Sequence, residues 1–482
     1  MASSTVFDEH LDSIATPSPK KRPAAISAVL HRSLKRAPLQ VVNAEGSYLI
    51  FSNGQRILDT TSGAAVACIG YNDNRVKAAM IAQIDKFSYC NSMFFGSEVG
   101  EQLAQELIDG TGGKMARAYI VCSGSEAMEA SMKMARQYYM EMSPPQPQRT
   151  NFIAREGSYH GTTLGALAVG GHVGRRTLFE PMLSQNMGRV SACNAYRGKR
   201  EDQSLEEYVM QLAKELDDKF QEMDPESICA FVAEPVVGAA LGCVPAVPGY
   251  FKAMKVVCDK YGALFIMDEV MSGMGRCGSL HAWEQEGVVP DIQTIGKGLG
   301  GGYASVAAVL LNHRIVNTLS NGTGIFSHGH TYQGHPVSCA AALEVQRIVR
   351  TENLVENVRT MGELLGSKLH ELIAFHPHVG NIRGRGLFWG IEFEQDRATK
   401  SPFARAVGVA NAVHEKGLQE GYALSLYPGT GTVDGVLGDH VLIAPAYNVT
   451  RDEVEMIAEL TAKTVIDSFK EICEDCRAGK SH

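Results

Sequence analysis

Two side chains in one forty-residue stretch, Asp268 and Lys297, have the chemistry of a covalent catalytic site. Asp268 ends the apolar run ALFIM, and Lys297 follows a second apolar run, IQTI, and opens onto the glycine cluster GKGLGGG. Short apolar runs bounded by turn residues are expected to be buried strands. Their carboxyl ends are where open α/β sheets keep their ligands. A lysine among glycines suggests a phosphate loop, yet the spacing and the Ser or Thr of a nucleotide P-loop are missing. An amine that forms a Schiff base and a carboxylate that holds a pyridinium nitrogen protonated are together what pyridoxal phosphate needs to act as an electron sink. Taken singly, Asp268 is as well explained as a turn cap and Lys297 as a solvated loop lysine. Only the other motifs decide between these.

The elements that must position such a pair are legible as alternating patterns. Apolar runs at 118–122, 151–154, 228–233, 263–267, 292–295 and 305–311 alternate with helical segments, which predicts an α/β domain built on a mainly parallel sheet covered on both faces. Ahead of it, LQVVNAEGSYLIFSNGQRILD predicts a small antiparallel meander with turns at Glu45-Gly46 and Asn53-Gly54. Beyond residue 351 a helix, a strand pair near 384–393, a helix at 403–420, a Gly-rich loop at 428–438, a strand at 441–444 and a terminal helix predict a smaller α+β unit. The expected division is 1–70 for an N-terminal arm and part of the small domain, 71–345 for the large domain and 346–482 for the small one.

The strand ends carry further candidates. Residues 118–122 run into SGSEAMEASMKMAR, where Ser123, Gly124 and Ser125 open a helix and offer backbone amides to a phosphate monoester; Ser123 is equally explained as an N-cap. After 151–154, SYHGTT places Tyr159 and His160 in a glycine-flanked loop, where an aromatic ring could stack on a planar ligand or pack locally. Glu234 ends the strand ICAFVA as either a hydrogen-bond partner of the site or a solvated terminus. In FSHGHTYQGHP the histidines lack a Cys or carboxylate at ligand spacing, so no metal is expected; Thr331 is a hydroxyl for an anion.

Composition sets outer limits. The 482 residues carry a formal net charge of −8, with no basic stripe suited to nucleic acid. The one basic cluster is Lys20, Lys21, Arg22, and no stretch approaches a membrane span. Eleven scattered cysteines suit reduced thiols, and a cytoplasmic location is expected. Cys473 and Cys476 form a CxxC without a second pair.

Taken in order, SGSEAMEASMKMAR, SYHGTT, AEPV, the run from MDEV to IGKGLGGG, and HTYQGHP resemble the class III (omega) aminotransferases, fold type I pyridoxal-phosphate enzymes, over roughly residues 35–465. The resemblance implies pyridoxal 5′-phosphate as cofactor and a seven-stranded-type sheet with a small domain built from both termini. It also implies a homodimer with sites at the interface, and transfer of an amino group from an amine or ω-amino acid to an oxo acid or carbonyl acceptor. Lys297 would be the Schiff-base lysine and Asp268 the pyridine-nitrogen partner. Val270 and Tyr159 would flank the ring, with His160 and Glu234 beside it. Gly124 and Ser125 would bind the phosphate, and Thr331 would reach the neighbouring subunit's cofactor. Racemisation or epimerisation, aminomutation and decarboxylation are alternatives on the same fold, and a non-catalytic α/β binding protein is an alternative of another class.

Two departures bear on substrate. Many relatives carry a mobile arginine in the loop that here reads YPGTGTVDGVLGDH, which has none between Tyr427 and His440; either another arginine binds the acceptor carboxylate, with Arg383 and Arg385 the nearest candidates unless they only hold the small domain together, or the acceptor is not an ordinary oxo acid. In TSGAAVACIGY, Ala64 and Ala65 stand where relatives often have a bulky aromatic, which predicts a roomy pocket with Ala65 in its wall. Phe94 and Phe95 are expected as further walls or as core.

Overall fold

The computed structural model describes residues 27–35 and 37–477. Lys20, Lys21 and Arg22 lie outside the described residues, as does the side chain of Cys476.

The largest sheet has seven strands, in the order Met115–Val121, Ala307–Asn312, Ile292–Ile295, Leu264–Asp268, Ile228–Ala233, Asn151–Arg155, Met187–Val190. Neighbours are parallel except Ala307–Asn312, which runs against both strands beside it. ICAFVA and LFIMD are buried along their whole length because helices cover both faces. Alternation sorts their side chains. Leu264 and Ile266 join the core beneath the helix Gly124–Glu141, whereas Phe265 and Met267 join that beneath the helices Leu205–Glu222 and Tyr250–Lys260. By the same period of two, Asp268 emerges on the first of these faces, at the carboxyl end. The edge strand Met187–Val190 escaped the sequence patterning because MGRV is short and half polar.

A second sheet, in the order Val379–Arg385, Phe388–Phe393, Asp439–Ile443, Tyr427–Thr430, is antiparallel throughout. Three helices, Leu354–Ile373, Val409–Gly417 and Arg451–Arg477, contribute to the core beneath it, with Leu365, Val413 and Val465 fully buried. The helix expected over 403–420 is shorter, since Gly408 is held at φ +61° and begins it only there. The Gly-rich loop expected at 428–438 starts instead as a strand, Tyr427–Thr430. The N-terminal meander, Val41–Glu45, Tyr48–Phe51, Arg56–Asp59, gains a fourth strand from Leu424–Ser425, parallel to Arg56–Asp59, so distant parts of the chain share one sheet.

Candidate active site

Asp268 and Lys297 both line one cavity of about 610 Å³ at the carboxyl ends of the central strands, together with Gly124, Ser125, Tyr159, His160, Glu234 and Val270. A larger hollow, about 810 Å³, lies beyond the turn Val173–Arg176 and includes neither Lys297 nor Asp268.

The Asp268 carboxylate is fixed by three donors. His160 Nδ1 lies 2.7 Å from Oδ2, while Thr294 Oγ1 and the Val270 amide each lie 3.0 Å from Oδ1. Thr294 is there because the parallel register sets it opposite Asp268. The remaining lone pairs of the carboxylate are free for a ligand donor in the cavity. Glu234 accepts the Tyr159 amide at 3.0 Å and so anchors the loop bearing that ring. Burial raises the Glu234 carboxyl above its ordinary range; nearby His160 opposes the shift and Asp268 reinforces it.

Lys297 sits just past its strand at φ +47°, a left-handed backbone that non-glycine residues seldom adopt and that costs about 1 kcal/mol or more. Its Nζ donates to the Ala64 carbonyl at 3.0 Å. Burial brings the amine down to about 8, against the pull of Asp268 and Glu234, with Arg175 and Arg276 lowering it further. Only a neutral amine attacks an aldehyde, so the rate at which pyridoxal phosphate joins the apoprotein should rise with pH through about 8 and level off above it. At pH 7 the neutral fraction is about 300 times that of an ordinary lysine. Reconstitution followed by absorbance checks this; a rate still climbing steeply from pH 9 to 10 would show an ordinary lysine.

The helix start that opens onto the cavity is equally well defined. Ser123 caps the helix Gly124–Glu141 by accepting the Glu126 amide at 3.2 Å, which leaves the first amides, Gly124 and Ser125, to an anion. Ser125 Oγ accepts the Thr162 amide at 3.0 Å and ties the SYHGTT loop to this helix. A Cβ at Gly124 would stand 2.8 Å from Val270 Cγ1, so only glycine lets Val270 pack under the helix start.

Other candidates are placed differently. Ala65 is buried behind the wall, in an apolar cluster against which Ala239, Met271 and Tyr427 pack, while its neighbours Ala64 and Val66 face the cavity. Its φ of +59° turns the chain there, which single-residue patterning could not reveal. Phe94 and Phe95 form neither wall nor core in this chain; they are 70% and 65% exposed on the connection between two helices. Thr331 is exposed and outside the cavity. Arg383 spends its donors on the carbonyls of Leu241 and Gly242 and on Glu392, and Arg385 on Glu286 and the Ala246 carbonyl, so neither reaches the site. The cations that line the cavity besides Lys297 are Arg32 and Arg175, which sequence spacing alone did not mark. The fold also brings Cys122 and Glu126 beside His330, with ligand atoms within 4.8 Å of one another, a proximity absent from local spacing; the Glu126 carboxylate already accepts the Cys122 amide at 2.9 Å.

A buried lysine, an oriented carboxylate and a helix start opening to one cavity fit pyridoxal phosphate and define a fold type I enzyme of that cofactor. The class-III aminotransferase family model matches residues 29–463, and the chain belongs to that family, whose members depend on pyridoxal phosphate. An aminotransferase of Gibberella zeae is 64% identical over 91% of this chain and 86% of its own length. The gamma aminobutyrate transaminase 3 of Solanum lycopersicum is 32% identical over 91% of this chain and 82% of its own. Among solved structures, the omega transaminase of Pseudomonas jessenii in complex with PMP superposes with a TM-score of 0.84 and 30% identity, covering 90% of this chain and 94% of that one. The protein is an aminotransferase.

Proposed function

We propose that Lys297 and Asp268 are the catalytic pair of this aminotransferase and that its substrates are a primary amine or ω-amino acid and an oxo-acid or carbonyl acceptor. The observation that carries it is the depressed Lys297 amine in the same cavity as a carboxylate held by three donors. Pyridoxal phosphate, when bound, supplies an electron sink for the charge left when the substrate carbon gives up its proton. The amides of Gly124 and Ser125 would hold its phosphate, Val270 and Tyr159 would flank its ring, and Asp268, braced by His160, would partner its ring nitrogen. Lys297 Nζ, its amine brought down to about 8, would take the proton from the amine-bearing carbon of the donor and, in the reverse half-reaction, give one to the former carbonyl carbon of the acceptor. The ω-amino-acid donor draws support from the gamma aminobutyrate transaminase among the relatives.

The test is the visible spectrum of the purified protein with and without an amine, followed by an oxo acid. A band that changes with amine and recovers with stoichiometric transfer of nitrogen supports the proposal. Recovery without transfer would instead indicate racemisation, aminomutation or decarboxylation.

The proposed homodimer rests on exposed apolar side chains that a lone chain leaves uncovered: Met93, Phe94, Phe95, Ile325 and Tyr332, with Tyr89 and Tyr332 rings 6.0 Å apart. In it Thr331, beside Tyr332, would complete the neighbour's phosphate site. The double variant Phe94→Asp/Phe95→Asp is expected to sediment as a monomer and to bind cofactor at least tenfold more weakly, since two carboxylates cannot be buried unpaired. An unaltered dimer would place the interface elsewhere. We further propose a division near residues 70 and 345, and a cytoplasmic location. The ten described cysteines are all unpaired, and among the described residues no helix is long and apolar enough to cross a membrane.

A further inference from the structure

We infer that Arg175 grips the carboxylate of an oxo-acid acceptor, taking over from a neighbouring element the task for which the 427–440 loop has no arginine. This rests on the aminotransferase assignment and names the acceptor subsite within the same cavity. Three observations carry it.

First, Arg175 lines the cavity with Lys297 and Tyr159, its guanidinium carbon 4.4 Å from the centre of the Tyr159 ring. Among the described residues no carboxylate lies within ion-pair distance of that guanidinium, and none of its N–H groups makes a hydrogen bond. Its neighbour Arg176 points the other way and is fully engaged, donating to the Ala168 carbonyl at 2.7 Å and pairing with Glu180 at 2.9 Å. Adjacent arginines on one turn are thus divided: one structural, the other with its planar fork of donors available. Such a fork matches a carboxylate in bidentate fashion.

Second, the turn Val173–Arg176 lies directly under the Gly-rich loop. A Cβ at Gly435 would come within 2.7 Å of Val173 Cβ, and one at Gly174 within 3.0 Å of the Gly435 carbonyl oxygen. The segment lacking an arginine therefore packs on the segment that supplies one. The fit depends on glycine on both sides, and Gly435 has φ +85°.

Third, the cavity's own acids are already committed, Asp268 to His160, Thr294 and the Val270 amide, Glu234 to the amides of Tyr159 and Gly238. The positive charge of Arg175 is felt at the reacting amine, where it helps lower Lys297. A carboxylate arriving from solvent is the missing counterion. Besides Lys297, Arg32 is the other cation on the lining, and the experiment separates it from Arg175.

The experiment compares holoenzymes carrying Arg175→Ala, Arg175→Lys and Arg32→Ala with wild type. Each is first aminated with benzylamine, then re-oxidised by pyruvate or by benzaldehyde, which has no carboxylate, with the cofactor absorbance followed by stopped flow. For Arg175→Ala the ratio of kcat/KM for pyruvate to that for benzaldehyde is expected to fall about 100-fold, mainly through KM. Arg175→Lys should recover part of the loss, since the charge remains and the fork does not. Equal losses on the two acceptors, or none, would overturn the inference. So would a selective loss confined to Arg32→Ala, which would make Arg32 the anchor. A wild type that benzylamine aminates but no oxo acid re-oxidises would overturn the carboxylate subsite and leave amine transfer standing. Absence of any response to benzylamine would remove both.

Discussion

Lys297→Ala is expected to retain less than about one part in 10⁴ of wild-type turnover while the protein stays folded. Two functions vanish with the one amine: covalent attachment of the cofactor and proton transfer at the substrate carbon. Neither has a substitute nearby, since the other cations on the lining, Arg175 and Arg32, carry guanidinium groups and no primary amine, and His160 is turned to Asp268. Borohydride reduction followed by intact-mass measurement separates loss of attachment from loss of fold. Wild type should gain the mass of one reduced cofactor, and the variant none. Lys297→Arg keeps a cation at the site and should be as inactive, because a guanidinium at neutral pH is no nucleophile. More than 1% residual turnover in either variant would place the reacting amine elsewhere.

Asp268→Asn is expected to lower the amine half-reaction about 10³-fold while leaving covalent attachment to Lys297 intact. The asparagine would lose the anion proposed as partner of the ring nitrogen. It also presents an NH₂ group to a position where His160, Thr294 and the Val270 amide all donate, so at least one of these contacts turns repulsive. Attachment depends on Lys297 and the phosphate amides, and should survive. Stopped-flow amination and the borohydride mass, measured on the same sample, provide the two readouts. Equal loss of both would show that Asp268 merely supports the fold. His160→Ala should fall between the variant and wild type, because it removes the brace and keeps the charge.

Much of this site was legible because its information is local. A strand buried on both faces is mostly apolar, so an acid at its carboxyl end stands out, as Asp268 and Glu234 do, and so does Lys297 among the glycines that follow IQTI. Small residues opening an amphipathic helix mark Gly124 and Ser125 in the same way. Glu269 shows the limit of such an argument. It follows Asp268 directly, yet alternation turns it to the opposite face, where it accepts the amides of Ala282 and Trp283 and burial pushes it up to about 8. Composition treats the two acids alike, whereas the sheet separates them.

The sequence by itself determined which groups are on offer: a lysine able to form a Schiff base, a carboxylate able to partner it, a helix start whose amides can take an anion, and the mainly parallel sheet that lines them up. It could do so because strand period, helix period and turn residues act over a few positions. Tertiary structure alone decided which distant groups meet. Thr294 braces Asp268 through parallel register, Ala65 lies behind the pocket wall, Phe94 and Phe95 face outward, and Arg383 and Arg385 are consumed by carbonyls and acids of other segments. Arg175 reaches the cavity because a four-residue turn packs under a glycine loop more than 250 residues later in the chain. Those contacts depend on how whole elements pack, and spacing along the chain does not encode the distance between them.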